Sequence, residues 1–312
     1  ALLKRYERYT ALKDADALLR YRELAAQAAS PRRLSGMSKR EWKTMKREYK
    51  TLRKSAEVKE FFKLQKKEQT FHAITDWDVK FEDNFDCGSL DCKKWLDHYY
   101  VVGSKEGMDY SPANENHVYT NGANVSISNQ TLKITTKREQ IMGLGFSDVV
   151  GFLPVERECS SGIVNTGRSF CMKGGKVEAK IRFTQPSKHI YHAIWLSSGK
   201  KLPHVNVMRL GEKLEFSAFS ESASAELQHV RLWPRKVLRQ NSYYIITLEW
   251  NTESMVWKIN GVPMFTAPNI VEEPMHIVFS SGATGVLPGS VEPALLEVDW
   301  VKAYQRHEQA AV

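Results

Sequence analysis

His189-Ile-Tyr-His-Ala-Ile-Trp-Leu-Ser-Ser-Gly-Lys-Lys-Leu-Pro-His-Val-Asn-Val-Met-Arg-Leu-Gly211 is the stretch on which the reading of this chain turns. Its pattern predicts two strands, 189–196 and 204–210, joined by a turn built on Ser-Gly-Lys-Lys and closed by Pro203. Side chains alternate across a sheet, so His204, Asn206 and Met208 would share one face of the second strand. One extra residue, absorbed as a β-bulge, would return Arg209 to the face of His204 and Asn206. Three polar groups would then converge on one surface.

The rest of the chain divides by charge. Residues 1–72 hold 20 Lys/Arg and 9 Asp/Glu, a net of +11, while the remaining 240 hold 25 and 27, a net of −2, so all of the net +9 lies in the first quarter. Tyr6, Tyr9, Leu12, Leu18, Leu19, Tyr21 and Leu24 recur at helical spacing within that quarter. A break follows at Ser30-Pro31, and Ser38 with Glu41 forms a capping-box pattern for a second helix. Tyr9-x-x-Leu12 recurs as Tyr49-x-x-Leu52, and Tyr21 as Phe62, which predicts a small helical unit used twice. So basic a helical arm reads as a solvated bundle or an arm packed on its own β domain, or else as an attachment device that docks on an acidic protein surface. No nucleic-acid motif is visible, which argues against nucleic acid.

From Asp76 the pattern changes to short alternating runs with turn residues between them, as in an all-β sandwich. Asn129-Gln130 and Asn260-Gly261 are expected at hairpin turns. Apolar residues at 42% and aromatic residues at 11% argue against disorder. No apolar run reaches the length of a membrane span. Cys87, Cys92, Cys159 and Cys171 allow two disulfides or four free thiols. They are too dispersed for a metal site, and no motif calls for a cofactor. Asn124-Val-Ser and Asn129-Gln-Thr fit the glycosylation sequon.

His204-Val-Asn-Val-Met-Arg209 resembles the active-site strand of glycoside hydrolase family 16, the laminarinase, lichenase and agarase group. The likeness extends in order through Val79-Lys-Phe-Glu-Asp, Leu90-Asp with Trp95, Asn124 to Lys137, Ser161 to Gly167, Gly175 to Phe183, Tyr243 to Gly261 and Leu295 to Tyr304. It implies a concanavalin A-like jelly-roll sandwich over residues 76–306, between the helical arm at 1–72 and a short tail at 307–312. The family's strand carries Glu-x-Asp-x-x-Glu as nucleophile, helper and acid/base, and the corresponding residues here are His204, Asn206 and Arg209.

A retaining glycosidase needs two carboxyl groups about 5 to 5.5 Å apart. Arginine holds its proton at any physiological pH and cannot serve as the acid/base. The expectation is therefore a pseudo-enzyme, a carbohydrate-binding or structural module tethered by its arm to a larger assembly, at a cell surface or on a virus particle. The alternative is an endo-acting hydrolase of a β-glucan or galactan with relocated carboxylates, Glu212 and Glu215 being the nearest, with Glu221 beyond them. Trp195 and Trp233 are candidate stacking platforms for a poly- or oligosaccharide, with His192, His204, Asn206 and Arg209 as hydrogen-bonding groups. Trp95, Trp250, Trp257 and Trp300 are expected in the core.

Overall fold

The computed structural model describes residues 2–29, 36–71, 76–100, 109–147, 149–220, 228–232, 238–285, 287 and 293–306. It divides into two compact units, 1–78 with 306–312, and 79–305.

Among its described residues the first unit contains four α-helices, and a short 3₁₀ turn at Glu68–Phe71, where the sequence periodicity indicated two helices. The four are α1 (Leu2–Lys13), α2 (Asp16–Ala29), α3 (Lys39–Lys54) and α4 (Ala56–Gln65). The division between α3 and α4 is made by a residue that caps. Ser55 ends α3 in an extended conformation, and its hydroxyl accepts from the Val58 N–H to start α4. At Ser38 the capping box forms in both directions, the Glu41 N–H donating to Ser38 Oγ and the Ser38 N–H to Glu41 Oε2. Ser30-Pro31 lies outside the described residues. The repeated aromatics meet, with Tyr9 stacked on both Phe61 and Phe71, each at 5.3 Å, and Tyr21 stacked on Tyr49. Tyr9, Phe61 and Phe71 form a small core with Leu12, Leu18 and Val58, against which Tyr21 packs.

The second unit is mainly β, a jelly-roll sandwich of an 11-stranded and a six-stranded sheet. The six-stranded sheet runs Gln228–Leu232, Leu214–Phe219, His204–Leu210, Ile190–Ser197, His276–Ala283, Ile163–Asn165. Its inward face and that of the larger sheet interdigitate Leu196, Val205, Phe216 and Phe279 with Ile134, Ile181, Trp257 and Val298 in one buried core. Trp95, Trp250 and Trp257 are buried as expected, but Trp300 is only half-buried, beside a register shift between Val298 and Trp300.

Local turn chemistry matches the sequence. Asn129 and Gln130 take φ of 54° each, and Asn260 and Gly261 take 51° and 79°, the positive values that tight hairpins require. The four cysteines are free thiols, Cys159 buried and the others exposed. Asn124 is a correction to the sequon reading. Its amide is buried and donates to Thr135 O and Ser160 Oγ, so it is no glycan acceptor in the folded chain. Among the described residues no helix is long and apolar enough to cross a membrane.

Candidate functional site

The strand His204–Leu210 contains the irregularity that its sequence called for. Its register against Ile190–Ser197 and Leu214–Phe219 shifts between Asn206 and Arg209. Val207 and Met208 both turn into the core, and Arg209 therefore returns to the face of His204 and Asn206. A bulge disrupts the backbone ladder locally, and the Asn206 carbonyl is taken by the indole N–H of buried Trp257 from the opposite sheet at 2.9 Å. One bond thus satisfies a core tryptophan and fixes the bulge that presents Arg209.

The three residues line a trough of about 440 Å³ together with Tyr99, Pro112, Glu115, Tyr119, Tyr191, Ala193, Trp195, Glu215, Phe219 and Ser280. At one end His204 stacks on Trp195, 4.8 Å between ring centres and 29° between planes, and meets Phe219 edge-on. The Trp195 N–H donates to Ser280 Oγ at 3.0 Å, which holds the indole in place. From His204 a chain of hydrogen bonds crosses the sheet. His204 Nε2 donates to Asn206 Oδ1 (3.0 Å), Asn206 Nδ2 to Ser217 Oγ (2.8 Å), and Ser217 Oγ to Glu215 Oε1 (3.1 Å). Burial lowers the His204 pKa, so the ring is the neutral Nε2–H tautomer that this chain needs.

At the other end the Arg209 guanidinium lies 3.6 Å above the Tyr191 ring, and its Nη2 is 3.5 Å from Glu115 Oε1. Burial opposes the Arg209 charge, but Tyr191, Glu115 and Tyr119 outweigh it and its pKa is raised. For Glu115 desolvation prevails. Its Oε2 is buried without a hydrogen-bond partner, and its pKa is pushed up to about 7, the attraction of Arg209 offsetting only part of the burial. Behind it, buried His117 has no partner at Nε2 and is held neutral by burial, with a pKa of about 4.

The sequence candidates fare unequally. Trp195, His204, Asn206, Arg209 and Glu215 share the trough. His192 does not reach it. It sits one residue out of phase with Tyr191 and Ala193, faces the interior, and is tied to the Thr184 carbonyl through Nε2 and to Ser281 Oγ through Nδ1. Glu212 is exposed on a neighbouring depression. Trp233 and Glu221 lie outside the described residues. Glu115, Tyr99, Tyr119 and Tyr191 were not singled out in the sequence. Tyr191 was open to the same alternation that placed Trp195. Glu115 sits in a connection, where no periodicity marks it.

Two packed, mainly antiparallel sheets, the larger with two short parallel pairings, and a trough across the smaller place the domain in the concanavalin A-like class of jelly rolls. Within that class, the profile of glycosyl hydrolases family 16 matches residues 113–302, more than half of the chain, and the chain belongs to that family. Solved structures agree in fold. The catalytic domain of an endo-1,3-β-glucanase (laminarinase) from Thermotoga petrophila is 18% identical with a TM-score of 0.59, over 75% of this chain and 99% of that one. LamAcat from Zobellia galactanivorans is 21% identical with a TM-score of 0.58, over 73% and 97%. The endo-β-1,3-glucanase from Pyrococcus furiosus is 17% identical with a TM-score of 0.57, over 74% and 95%. No curated protein sequence matches the chain.

Proposed function

We propose that this chain is a non-catalytic family 16 domain that holds a poly- or oligosaccharide in its trough and is attached through its basic helical unit to a larger assembly. The observation that carries this reading is the bulged strand. It aims His204, Asn206 and Arg209 into the trough, where the family resemblance puts two glutamates and an aspartate. A neutral imidazole, an amide and a guanidinium supply no carboxylate nucleophile and no carboxylic proton donor. What they do supply, beside the Trp195 face, is hydrogen bonding for sugar hydroxyls and a stacking surface for sugar C–H groups. The attachment reading is supported by the cation row of α3, where Lys39, Lys43, Arg47, Lys50 and Lys54 are all exposed at three-to-four spacing. A cell surface or virus particle is the setting that suits a glycan-reading module on such an arm.

A second reading, hydrolysis by relocated carboxylates, has one observation in its favour. Glu115, whose pKa burial pushes up to about 7, and Glu215 line the same trough. The deciding experiment incubates the protein with laminarin, lichenan, agarose, carrageenan and xyloglucan and measures both new reducing ends and binding by calorimetry. Binding without turnover is the expected result. Turnover that survives replacement of His204 and Arg209 but disappears in Glu115→Gln or Glu215→Gln would establish the second reading and overturn the first.

A further inference from the structure

The trough does not end at Trp195. Tyr99 lies 6.4 Å from Trp195, Tyr110 lies 4.6 Å from Tyr99, and Phe152 lies 6.3 Å from Tyr110, all between ring centres. Phe152 then meets Phe146 edge-on at 5.3 Å. The last two rings are cross-strand partners in the long hairpin formed by Leu132–Ser147 and Gly151–Ser161. Five rings therefore form one unbroken series of contacts from the floor of the trough to the hairpin.

The register explains the continuity. Tyr110 pairs with Tyr119, a lining residue of the trough, and also with Leu144 of the hairpin, so the three lie side by side across neighbouring strands. On the same face of the strand Met142 and Phe146 flank Leu144, Phe146 on the side of the hairpin tip. The exposure is opposite to that of a core. Phe146 is 50% exposed, Phe152 41% and Met142 57%, a cluster of large apolar side chains kept in water on one hairpin. Edge-on packing of Phe146 against Phe152 leaves ring faces uncovered.

We propose that Phe146 and Phe152 form an outlying saccharide platform that continues the binding track of the trough, so that the domain takes an extended polysaccharide segment in preference to a short oligosaccharide. The occupant follows from the continuity of the rings: a sugar chain stacked on Trp195 in the trough, which Tyr99 also lines, extends past half-buried Tyr110 onto the exposed rings of the hairpin, and pyranose C–H faces suit uncharged aromatic rings. This inference rests on the saccharide reading of the trough.

The test compares wild type with the double variant Phe146→Ala/Phe152→Ala and with Phe146→Tyr, using affinity electrophoresis in laminarin, lichenan, agarose, carrageenan and xyloglucan and calorimetry with laminaribiose and cellobiose. Both replaced rings are largely exposed, so the alanine variant is expected to keep the wild-type melting temperature. Its polymer binding is expected to weaken about tenfold, while disaccharide binding is unchanged and Phe146→Tyr binds like wild type. Unchanged polymer binding in the alanine variant overturns the inference while leaving the trough reading intact, and so does an equal loss of disaccharide binding. A change of oligomeric state in the variant with polymer binding intact assigns the hairpin to a second copy of the chain and also overturns it. If wild type binds none of the polymers, the trough reading itself fails and takes the platform with it.

Discussion

Replacing Glu115 with glutamine should make the protein more stable at alkaline pH, by an amount that the site geometry sets. Glu115 sits in the trough with its side chain only 16% exposed, one oxygen 3.5 Å from Arg209 Nη2 and the other buried without a partner. Burial raises its pKa from 4.5 to about 7 despite the neighbouring guanidinium. A carboxyl group raised in the folded state contributes stability that is fully present below its unfolded pKa, near 4.5, and lost as pH rises through the folded value, near 7. The shift of 7 − 4.5, at about 1.36 kcal/mol per unit, corresponds to about 3 kcal/mol of stability lost by pH 9. Glutamine keeps the shape of the protonated acid and cannot ionise. Urea unfolding at intervals from pH 4 to pH 9 should therefore show Glu115→Gln and wild type converging below pH 4.5 and separating above it. At pH 9 the variant should lead by about 3 kcal/mol, or roughly 6–12 °C in melting temperature for a domain of this size. A variant less stable than wild type at pH 9 would show that the Arg209 pair outweighs the burial of Glu115. A difference that stays constant with pH would show that Glu115 titrates normally, and either result refutes the reasoning.

Three buried histidines should shape the acid side of the same profile. His117, His192 and His276 are each lowered from 6.5 to about 4 by burial, so the stability they contribute is present above pH 6.5 and lost as pH falls through 4. A wild-type profile that stays level from pH 6.5 down to pH 4 contradicts this. Gly175→Ala should lower stability by more than about 3 kcal/mol in thermal unfolding, because Gly175 has φ of 127° and a Cβ there would collide with the Tyr304 carbonyl and the Met172 methyl. Retention of the wild-type melting temperature would show that the strand can shift to make room. On the attachment reading proposed above, exchanging the exposed Lys39, Lys43, Arg47, Lys50 and Lys54 of α3 for glutamine should abolish any co-migration of the protein with a larger complex in gel filtration of a native extract. A variant that still co-migrates with the assembly rules out α3 as the attachment surface.

The sequence by itself determined what depends on local repetition. Alternation placed the strands and put His204 and Asn206 on one face, and asparagine in a two-residue turn marked the hairpins at Asn129 and Asn260. The sequence left the convergence of His204, Asn206 and Arg209 conditional on one added residue, and the structure supplies that bulge and turns Met208, which simple alternation had put on the same face, into the core. Tertiary structure decided what depends on distant residues. Glu115 meets Arg209 across 94 positions of sequence, and nothing about a glutamate in a connection foretells that it will be buried beneath a guanidinium. The same holds for the aromatic track. Tyr99, Tyr110, Phe146, Phe152 and Trp195 come from five separate segments, and only the closing of the hairpin against the short strands beside the trough makes them one surface. His192 shows the limit from the other side. Its strand was legible, but which face a single polar residue serves was settled by two interior partners, Thr184 and Ser281, that only folding brings to it.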